Sequence, residues 1–496
     1  MKKSLWISVI IILAGIAVLP AACRRIGEEK ERVEVTETVL YGDVREAEGI
    51  RLEIGTHWND RLLWTTRYQP GRTGDAETEF SFSADGVLWK EQPAIDAGFC
   101  SYSEYAVGMA YDGNTGNRIA GQGVDIASQP MDKMLQAVAD RTAPGERHTE
   151  IVAAADYHEY YPFTFKVLNE EKKLVLNEFC SDYLMELFAL RVPEDALYEV
   201  TIEKNIDGTV AAFRQKVHSG GYSPKDIFAF GTEGCFYAFS RRNTENYREI
   251  YDGQAYCIYY LPYVGEERTY GRDSYTIDTE RMERVCELPE GLAPVELVLD
   301  EEEKNLYLTA RDRRQYFLLI YEADGERLSL RQQLPVRETA LSDTGEASYT
   351  DFTQMRVQED GILMTWEENS FVFVTKTAGE YEVWCSGVLP AKEDGEEKSA
   401  YYSPLVEESA FPHENSFAFD GEKLALAAFD KWSDLSTRLL VYRDGELVYS
   451  GLYEYSGELD NRFGTVAREC IQAQGASNGR SRSSGMALNP LRVTIP

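Results

Sequence analysis

The sequence predicts an all-β protein, and three observations support that prediction. The chain of 496 residues contains 31 Tyr, 21 Phe and 7 Trp, and aromatic residues are enriched in strands. Its apolar residues stand in short runs, and apolar residues at helical spacing are rare. Polar turns of similar outline separate these runs at intervals of roughly 50 to 70 residues, which is typical of a repeated architecture.

Each repeated turn lies between two strand-like segments. The clearest copies span 167–176, 228–237, 297–308, 355–364 and 417–426, and weaker copies are centred on Asn59-Asp60 and on Asp112-Gly113. A second hairpin follows within a unit, with Asp324-Gly325 or Asp444-Gly445 at its turn. Asp-Gly readily adopts the positive φ of tight hairpins. Each unit is therefore predicted to be a four-stranded meander.

Repeated four-stranded units can bury their faces by stacking radially, which is the plan of a β-propeller. We predict such a domain over residues 41–460, with seven blades preferred and six or eight as alternatives. A pair of β-sandwiches is the alternative fold, and the regular turn series disfavours it. Residues 33–41 are expected to add the outer strand of the last blade and close the ring. Residues 265–284 are expected to be a loop insertion, and Met131 to Val138 a short helix.

The N-terminus has the order of an export signal. Lys2 and Lys3 precede an apolar run from Leu5 to Leu19, and Pro20-Ala21-Ala22-Cys23 follows. The two alanines before Cys23 resemble a bacterial lipobox, although Pro20 stands where that motif usually has an aliphatic residue. The resemblance implies a signal peptide over 1–22, lipid attachment at Cys23, and a lipidated N-terminus and linker over 23–40.

Two other readings of this N-terminus stay open. An uncleaved transmembrane anchor is one, because a span needs roughly 20 apolar residues and this run approaches that length. A plain signal peptide that releases the protein is the other. Lipidation and an uncleaved anchor both place the protein on the outer face of a membrane.

The chain is strongly acidic. Its formal net charge is −33, and such a field repels phosphate backbones. We therefore expect no nucleic acid partner. The expected partners are the membrane, through the N-terminal lipid anchor, and an envelope protein or glycan.

The cysteines and histidines indicate neither a metal site nor a cofactor. No CxxC pair is present, and the five histidines lack metal-ligand spacing. Cys180, Cys235, Cys257 and Cys385 lie in apolar strand-like runs and are expected to be buried thiols. The sequence also lacks P-loop and GxGxxG motifs.

One local motif resembles a known structural element. The segment from Ser83 through Asp85 and Gly86 to Trp89 resembles the Asp-box of sialidase-type propellers. The resemblance implies a hairpin turn in which the aspartate caps backbone amides and the tryptophan packs beneath. This copy is one residue shorter than the family pattern, and the chain has a single copy. An Asp-box has a structural role, so it does not imply sialidase chemistry.

The C-terminal part differs in composition from the rest. Residues 471–496 contain no Asp or Glu, and residues 475–485 are rich in Gly, Ser and Asn. Segments of this composition seldom bury enough apolar surface to fold. Residues 461–496 are therefore predicted to be a disordered tail.

The chain as a whole resembles bacterial cell-surface lipoproteins with propeller domains, many of which have no assigned activity. We predict a non-enzymatic binding or scaffold protein that presents propeller loops to a protein or glycan. The alternative is an extracytoplasmic carbohydrate-active hydrolase or lyase, which the abundant carboxylates and aromatic residues would suit. No catalytic residue can be assigned from the sequence.

Overall fold

The structure is a computed structural model. It describes residues 33–58, 62–82, 94–95, 97–99, 105–109, 123–127, 129, 131–168, 174–179, 182–243, 249–251, 255–269, 272–300, 302–339, 352–366, 370–388, 417–431, 436–456 and 491–495. The chain divides into two compact units. Unit 1 comprises residues 1–92 and 349–496, and unit 2 comprises residues 93–348.

The strands are numbered along the chain. Unit 1 begins with β1 Glu34–Gly42, β2 Arg51–Trp58, β3 Leu62–Tyr68 and β4 Glu77–Phe82. Unit 2 contains β5 Ala94–Ile95, β6 Ala97–Phe99, β7 Tyr105–Met109, β8 Arg147–Ala153, β9 Phe163–Leu168, β10 Leu174–Phe179, β11 Leu197–Lys204, β12 Val210–Ser219, β13 Lys225–Phe230, β14 Gly234–Ser240, β15 Cys257–Thr269, β16 Arg272–Ile277, β17 Glu283–Glu287, β18 Ala293–Leu299, β19 Asn305–Arg311, β20 Gln315–Asp324 and β21 Arg327–Glu338. Unit 1 continues with β22 Phe352–Gln358, β23 Gly361–Trp366, β24 Ser370–Thr377, β25 Glu380–Val388, β26 Phe417–Phe419, β27 Lys423–Lys431, β28 Ser436–Arg443, β29 Glu446–Ser456 and β30 Leu491–Thr494.

Helices are few and short. The α-helices among the described residues are α1 Asp132–Arg141 and α2 Asp182–Phe188, and the 3₁₀ helices are Val44–Ala47, Thr73–Asp75 and Ala154–Asp156. The short helix predicted from Met131 to Val138 is confirmed as α1, which buries Met134, Leu135 and Val138.

The described strands form seven sheets, so the all-β prediction is confirmed. In unit 1 the strand orders are β1-β29-β28-β27-β26, β30-β2-β3-β4 and β22-β23-β24-β25. In unit 2 they are β10-β9-β6, β7-β12-β11-β8, β18-β19-β20-β21 and β13-β14-β15-β16-β5, with β17 also pairing with β15. All pairings are antiparallel except β16 with β5.

The five clearest predicted turns all join paired strands: β9 to β10, β13 to β14, β18 to β19, β22 to β23 and β26 to β27. Aspartate side chains stabilise two of them. Asp300 Oδ1 accepts hydrogen bonds from the amides of Lys304 at 2.7 Å and Asn305 at 3.1 Å, and Asp420 Oδ1 accepts from that of Lys423 at 2.7 Å. Asn59-Asp60 and Asp112-Gly113 lie outside the described residues.

The two predicted Asp-Gly hairpins are also present, between β20 and β21 and between β28 and β29. At the second turn Asp444 has φ +50° and Gly445 has φ +80°. Positive φ at both central residues is the geometry that matches the twist of antiparallel strands.

The N-terminal strand β1 is the edge strand of its sheet and pairs with β29. This confirms the edge-strand role predicted for residues 33–41. Glu37 anchors β1, because its Oε1 accepts hydrogen bonds from the hydroxyls of Tyr449 at 2.7 Å and Tyr453 at 2.9 Å. Its Oε2 accepts a further bond from the Gly71 amide at 2.7 Å.

The prediction of a disordered tail over 461–496 is wrong for residues 491–494. They form β30, which pairs with β2 so that Val493 lies opposite Leu52. Both side chains are buried in one apolar cluster of unit 1. The strand is only four residues long and is stabilised by pairing with β2. The polar composition of the residues before it therefore led to the wrong prediction. Residues 461–490 and Pro496 of the predicted tail lie outside the described residues.

The predicted loop insertion over 265–284 is also wrong. The second half of β15 pairs with β16, placing Glu267 opposite Ser274 and Arg268 opposite Asp273. Backbone hydrogen bonds hold such a polar ribbon together, so the apolar pattern of the sequence did not reveal it.

Three of the four predicted core thiols are confirmed: Cys235, Cys257 and Cys385 are buried free cysteines. Cys180 lies outside the described residues. None of the helices in the described part of the chain combines the length and the apolar character that crossing a bilayer requires. The predicted signal over 1–22 lies outside that part.

Candidate functional site

The sites predicted from motifs fall outside the described residues. Cys23, the predicted lipid attachment site, is one, and Ser83, Asp85, Gly86 and Trp89 of the Asp-box-like turn are the others. These assignments stay predictions. Among the residues that the structure describes, no group of three or more His, Cys, Asp or Glu side chains is arranged to hold a metal ion.

A concentration of arginines marks one end of two neighbouring sheets in unit 2. Strand β14 ends at Ser240, β19 ends at Arg311, and β21 ends at Glu338, all at this end. The residues there include six arginines, which we call the arginine cluster: Arg241, Arg242, Arg311, Arg313, Arg314 and Arg337. Since Asp and Glu outnumber Lys and Arg by 84 to 51 in this chain, six arginines at one end of two sheets stand out.

Glu249 lies at the centre of the arginine cluster. Its Oε1 accepts a hydrogen bond from Arg242 Nη2 at 3.1 Å, and its Oε2 accepts one from Arg311 Nη2. The carboxylate thus joins the loop after β14 to the end of β19. The side chains of Glu249 and Arg311 are 3% and 5% exposed, whereas that of Arg242 is 21% exposed.

The backbone fixes where Glu249 enters the cluster. Glu249 forms an isolated antiparallel bridge with Arg242, and the Ile250 amide donates to the Arg241 carbonyl at 2.8 Å. The main chain at residues 249–250 therefore folds back on residues 241–242, so the position of the carboxylate is set by side-chain torsions from a fixed Cα.

Tyrosines line the cluster. Arg311 Nη1 donates to the Tyr316 hydroxyl at 3.0 Å. The Arg241 guanidinium lies 4.4 Å from the centre of the Tyr256 ring, and that of Arg313 lies 5.8 Å from the centre of the Tyr251 ring. Guanidinium groups within about 6 Å of a ring centre are attracted by its π face. The rings thus stabilise and orient the cations.

The Tyr256 hydroxyl ties the loop to the cluster. It donates to the Ile250 carbonyl at 2.5 Å and accepts from the Arg241 amide at 3.2 Å. Burial raises the pKa of Tyr256, although the Arg241 cation opposes that effect. The hydroxyl therefore keeps its proton and remains a donor to the loop.

The pKa values of two arginines in the cluster are shifted in opposite directions. Burial alone would lower the pKa of Arg311, but the Glu249 carboxylate and the Tyr316 hydroxyl outweigh it and the pKa is raised. For Arg337, burial dominates over the opposing effect of Tyr316, and the pKa is lowered. Glu249 thus compensates the cation in the most buried position.

The chemistry of this arrangement is that of binding. A guanidinium presents several N–H donors in one plane and matches the oxygens of a carboxylate or another oxyanion. Arginine does not give up its proton under physiological conditions, so these groups are unsuited to proton transfer. Arg313 and Arg314 are exposed, which makes part of the cluster accessible from solvent.

Sequence reasoning missed this site. The two residues that define it, Glu249 and Arg311, stand 62 positions apart. One signal was available, because arginines stand at the ends of two strands whose last residues are buried. Arg241 and Arg242 follow β14, and Arg311, Arg313 and Arg314 stand at the end of β19.

No family model matches the sequence, and no curated protein matches it. Among solved structures, a Lactobacillus plantarum protein is 12% identical, covers 52% of this chain and 62% of that chain, and has a TM-score of 0.27. The periplasmic gluconolactonase of Pseudomonas aeruginosa is 11% identical, with coverages of 81% and 95% and a TM-score of 0.27. The β-propeller domain of Cps50 (Swd1) from Myceliophteria thermophila is 11% identical, with coverages of 52% and 82% and a TM-score of 0.20. Likenesses this distant assign neither an activity nor a partner to this chain.

Proposed function

We propose that this chain is a membrane-anchored extracytoplasmic binding protein that uses the arginine cluster to bind an acidic glycan. The proposal also takes the seven sheets as the blades of a propeller. The observation that carries the binding function is the arrangement around Glu249, in which a carboxylate lies between Arg242 and Arg311 beside tyrosine rings. The donors that hold this carboxylate match the carboxylate of an acidic sugar.

A glycan suits the cluster better than a protein segment for one reason. Arg313 lies beside the half-buried Tyr251 ring, so a cation and a flat aromatic face are adjacent. An acidic sugar needs both groups, because its ring packs on an aromatic face while its charged substituent pairs with a guanidinium. A flexible acidic peptide needs only the charges.

The membrane anchor in this proposal is the N-terminus. Ala21 and Ala22 before Cys23 support lipid attachment at that cysteine, and the apolar run from Leu5 to Leu19 supports an uncleaved anchor as the alternative. Mass spectrometry of the N-terminal peptide distinguishes them. A diacylated peptide that begins at Cys23, and that is lost in Cys23→Ser, supports lipidation, whereas an intact N-terminus supports the transmembrane anchor.

The binding proposal is tested with the full-length protein in detergent. Retention is measured on oligogalacturonate and on a neutral glucan of similar length, and release of new reducing ends is measured in the same samples. We expect retention on oligogalacturonate alone, without new reducing ends. New reducing ends would support the carbohydrate-active enzyme instead, and equal retention on both glycans would contradict the role of charge.

Two variants make the test specific. Arg313→Gln removes an exposed member of the cluster, and we expect it to weaken retention. Arg67→Gln removes an arginine of unit 1 that is 48% exposed and pairs with Glu53 and Glu79, so it serves as a matched control. Equal weakening in both variants would mean that retention is a nonspecific charge effect.

A further inference from the structure

The Glu249 carboxylate occupies the most buried position of the arginine cluster. We infer that it is an internal ligand, holding the place of a uronate carboxylate, and that the bound glycan exchanges with it. This inference rests on the proposed function. It adds the class of the ligand group, a sugar carboxylate, and a form of regulation, because the site is occupied by its own chain until ligand arrives.

The hydrogen bonds of Glu249 define what the position accepts. Each of its two oxygens receives a bond from a different guanidinium, Oε1 from Arg242 and Oε2 from Arg311. Two acceptor oxygens in one plane, bridging two cations, are what a carboxylate offers. A uronate carboxylate has the same charge, the same planarity and the same number of oxygens.

The two guanidinium groups that hold Glu249 differ in exposure. The Arg242 side chain is 21% exposed, whereas that of Arg311 is 5% exposed. A ligand carboxylate would therefore meet Arg242 first and reach Arg311 as Glu249 turns away. Because the main chain at residues 249–250 is bonded to residues 241–242, this exchange requires rotation of the Glu249 side chain.

Exchange keeps the buried cations compensated. If Glu249 left without a replacement, Arg311 would remain as a buried charge without this counter-ion, which is strongly destabilising. When a second carboxylate arrives as the first leaves, the ion pair is re-formed. A neutral sugar cannot do this, so the site excludes neutral glycans.

Self-occupancy lowers the apparent affinity of the native protein. A ligand binds only the fraction of molecules whose site is vacated, and the apparent dissociation constant rises in proportion. Weakening the internal ligand should therefore strengthen binding of the external one. This is the opposite of what is expected of a residue that contacts the ligand directly, since its removal weakens binding.

The test compares four forms of the full-length protein in detergent: wild type, Glu249→Gln, Arg242→Gln and Glu326→Gln. Glu326→Gln is the matched control, because Glu326 also pairs with an arginine of unit 2, Arg281, but lies at the other end of β20 and β21. Binding of trigalacturonate is measured by isothermal titration calorimetry. Circular dichroism and thermal unfolding establish that each variant is folded.

We expect Glu249→Gln to bind trigalacturonate at least about tenfold more tightly than wild type, a change of about 1.4 kcal/mol. Arg242→Gln should bind more weakly, and Glu326→Gln should match wild type. A folded Glu249→Gln variant with unchanged or weaker binding overturns the exchange. So does an equal gain in Glu326→Gln, which would show that lowering the negative charge anywhere is enough.

Two further ligands separate the exchange from the proposed function. If neither wild type nor Glu249→Gln binds trigalacturonate or a sulfated trisaccharide, the binding function itself fails. If both ligands bind equally and Glu249→Gln changes neither affinity, acidic-glycan binding stands but the carboxylate exchange is wrong. Binding of polyglutamate in preference to trigalacturonate overturns the choice of a glycan.

Discussion

Glu37 and Tyr453 lie directly opposite each other in the register of β1 and β29, and the Tyr453 hydroxyl donates to the Glu37 carboxylate at 2.9 Å. Tyr449 donates to the same oxygen, and the two hydroxyls lie 2.8 Å apart. Burial, together with the neighbouring Tyr449 and Glu37, raises the pKa of Tyr453. The edge strand is thus held by a network of buried hydroxyls and one carboxylate, in addition to its backbone pairing.

Glu37→Ala should destabilise unit 1. The substitution leaves the two buried tyrosine hydroxyls without their shared acceptor, and a buried polar group that loses its partner costs about 1–3 kcal/mol. Urea unfolding monitored by tyrosine and tryptophan fluorescence measures the loss. Glu34→Ala is the control, since Glu34 is an exposed residue of the same strand. Equal losses in the two variants would show that the hydroxyl network contributes nothing beyond strand propensity.

Glu249→Ala should be among the most destabilising substitutions in unit 2. It removes the carboxylate that compensates buried Arg311, and breaking a buried ion pair by removing one partner costs about 3–5 kcal/mol. The comparison is Glu53→Ala, which breaks the half-exposed pair with Arg67 and should cost about 1 kcal/mol or less. Chemical denaturation gives both values. Similar small losses would mean that water solvates the Glu249 position.

The free energy of unfolding should decrease as the pH is lowered, because of His158. Its Nε2 accepts a hydrogen bond from the Met134 amide in the first turn of α1, at 3.4 Å. Burial lowers the pKa of His158, with Asp132 opposing and Lys133 adding to the effect. The neutral ring is therefore favoured in the folded state. Its contribution is fully present above about pH 6.5, the ordinary value, and is lost as pH falls through the lowered folded-state pKa.

The measurement is urea unfolding of wild type and His158→Gln between pH 8 and pH 5. Gln keeps a hydrogen-bond acceptor but does not titrate in this range. The free energy of unfolding of wild type should decline relative to that of the variant as pH is lowered. Parallel pH profiles for the two proteins would sink this prediction.

Thiol labelling should follow burial. Burial raises the pKa of Cys385 to about 12, and Cys235 is fully buried with a raised pKa as well. Cys286 is half-buried. In the native protein at pH 8, we expect an alkylating reagent to modify Cys286 before Cys235 and Cys385, as followed by peptide mass spectrometry. Loss of this order in denaturant is the control, and early modification of Cys235 would contradict the packing around it.

Removing residues 491–496 should destabilise unit 1. Without β30, β2 becomes an edge strand and the cluster that contains Leu52 loses buried Val493. Val493→Asp should lower the melting temperature similarly, because it places an unpaired charge in that cluster, whereas Thr494→Asp changes an exposed position. Differential scanning calorimetry compares the three forms. An unchanged melting temperature in the truncated chain would show that β30 does not contribute to stability.

The hairpins could be predicted from the sequence because their determinants are local. Residues 228–237 carry the whole signal for β13 and β14 within ten positions: an apolar run, a glycine-containing turn and a second apolar run. The same holds for the Asp444-Gly445 turn, where the two residues that adopt positive φ are adjacent.

The candidate site could not be predicted in the same way because it depends on pairing between distant segments. Nothing near Glu249 in the sequence indicates that it meets Arg311 on another sheet. Strand β30 was missed for a related reason, since its partner β2 lies at the other end of the chain. The one local signal was the run of arginines at the ends of β14 and β19. It marks the position of the arginine cluster but does not indicate that Glu249 lies at its centre.

The pairing of β1 with β29 sets the order in which this protein can mature. Glu37 meets Tyr453 across 416 positions, and β2 pairs with β30 over a similar separation. Contacts this distant form late and slow the folding rate. Two sheets of unit 1 therefore stay incomplete until β29 and β30 have been made. For a chain exported as proposed, this delay is useful, because the sheets that contain β1 and β2 are completed only after β29 and β30 have crossed the membrane.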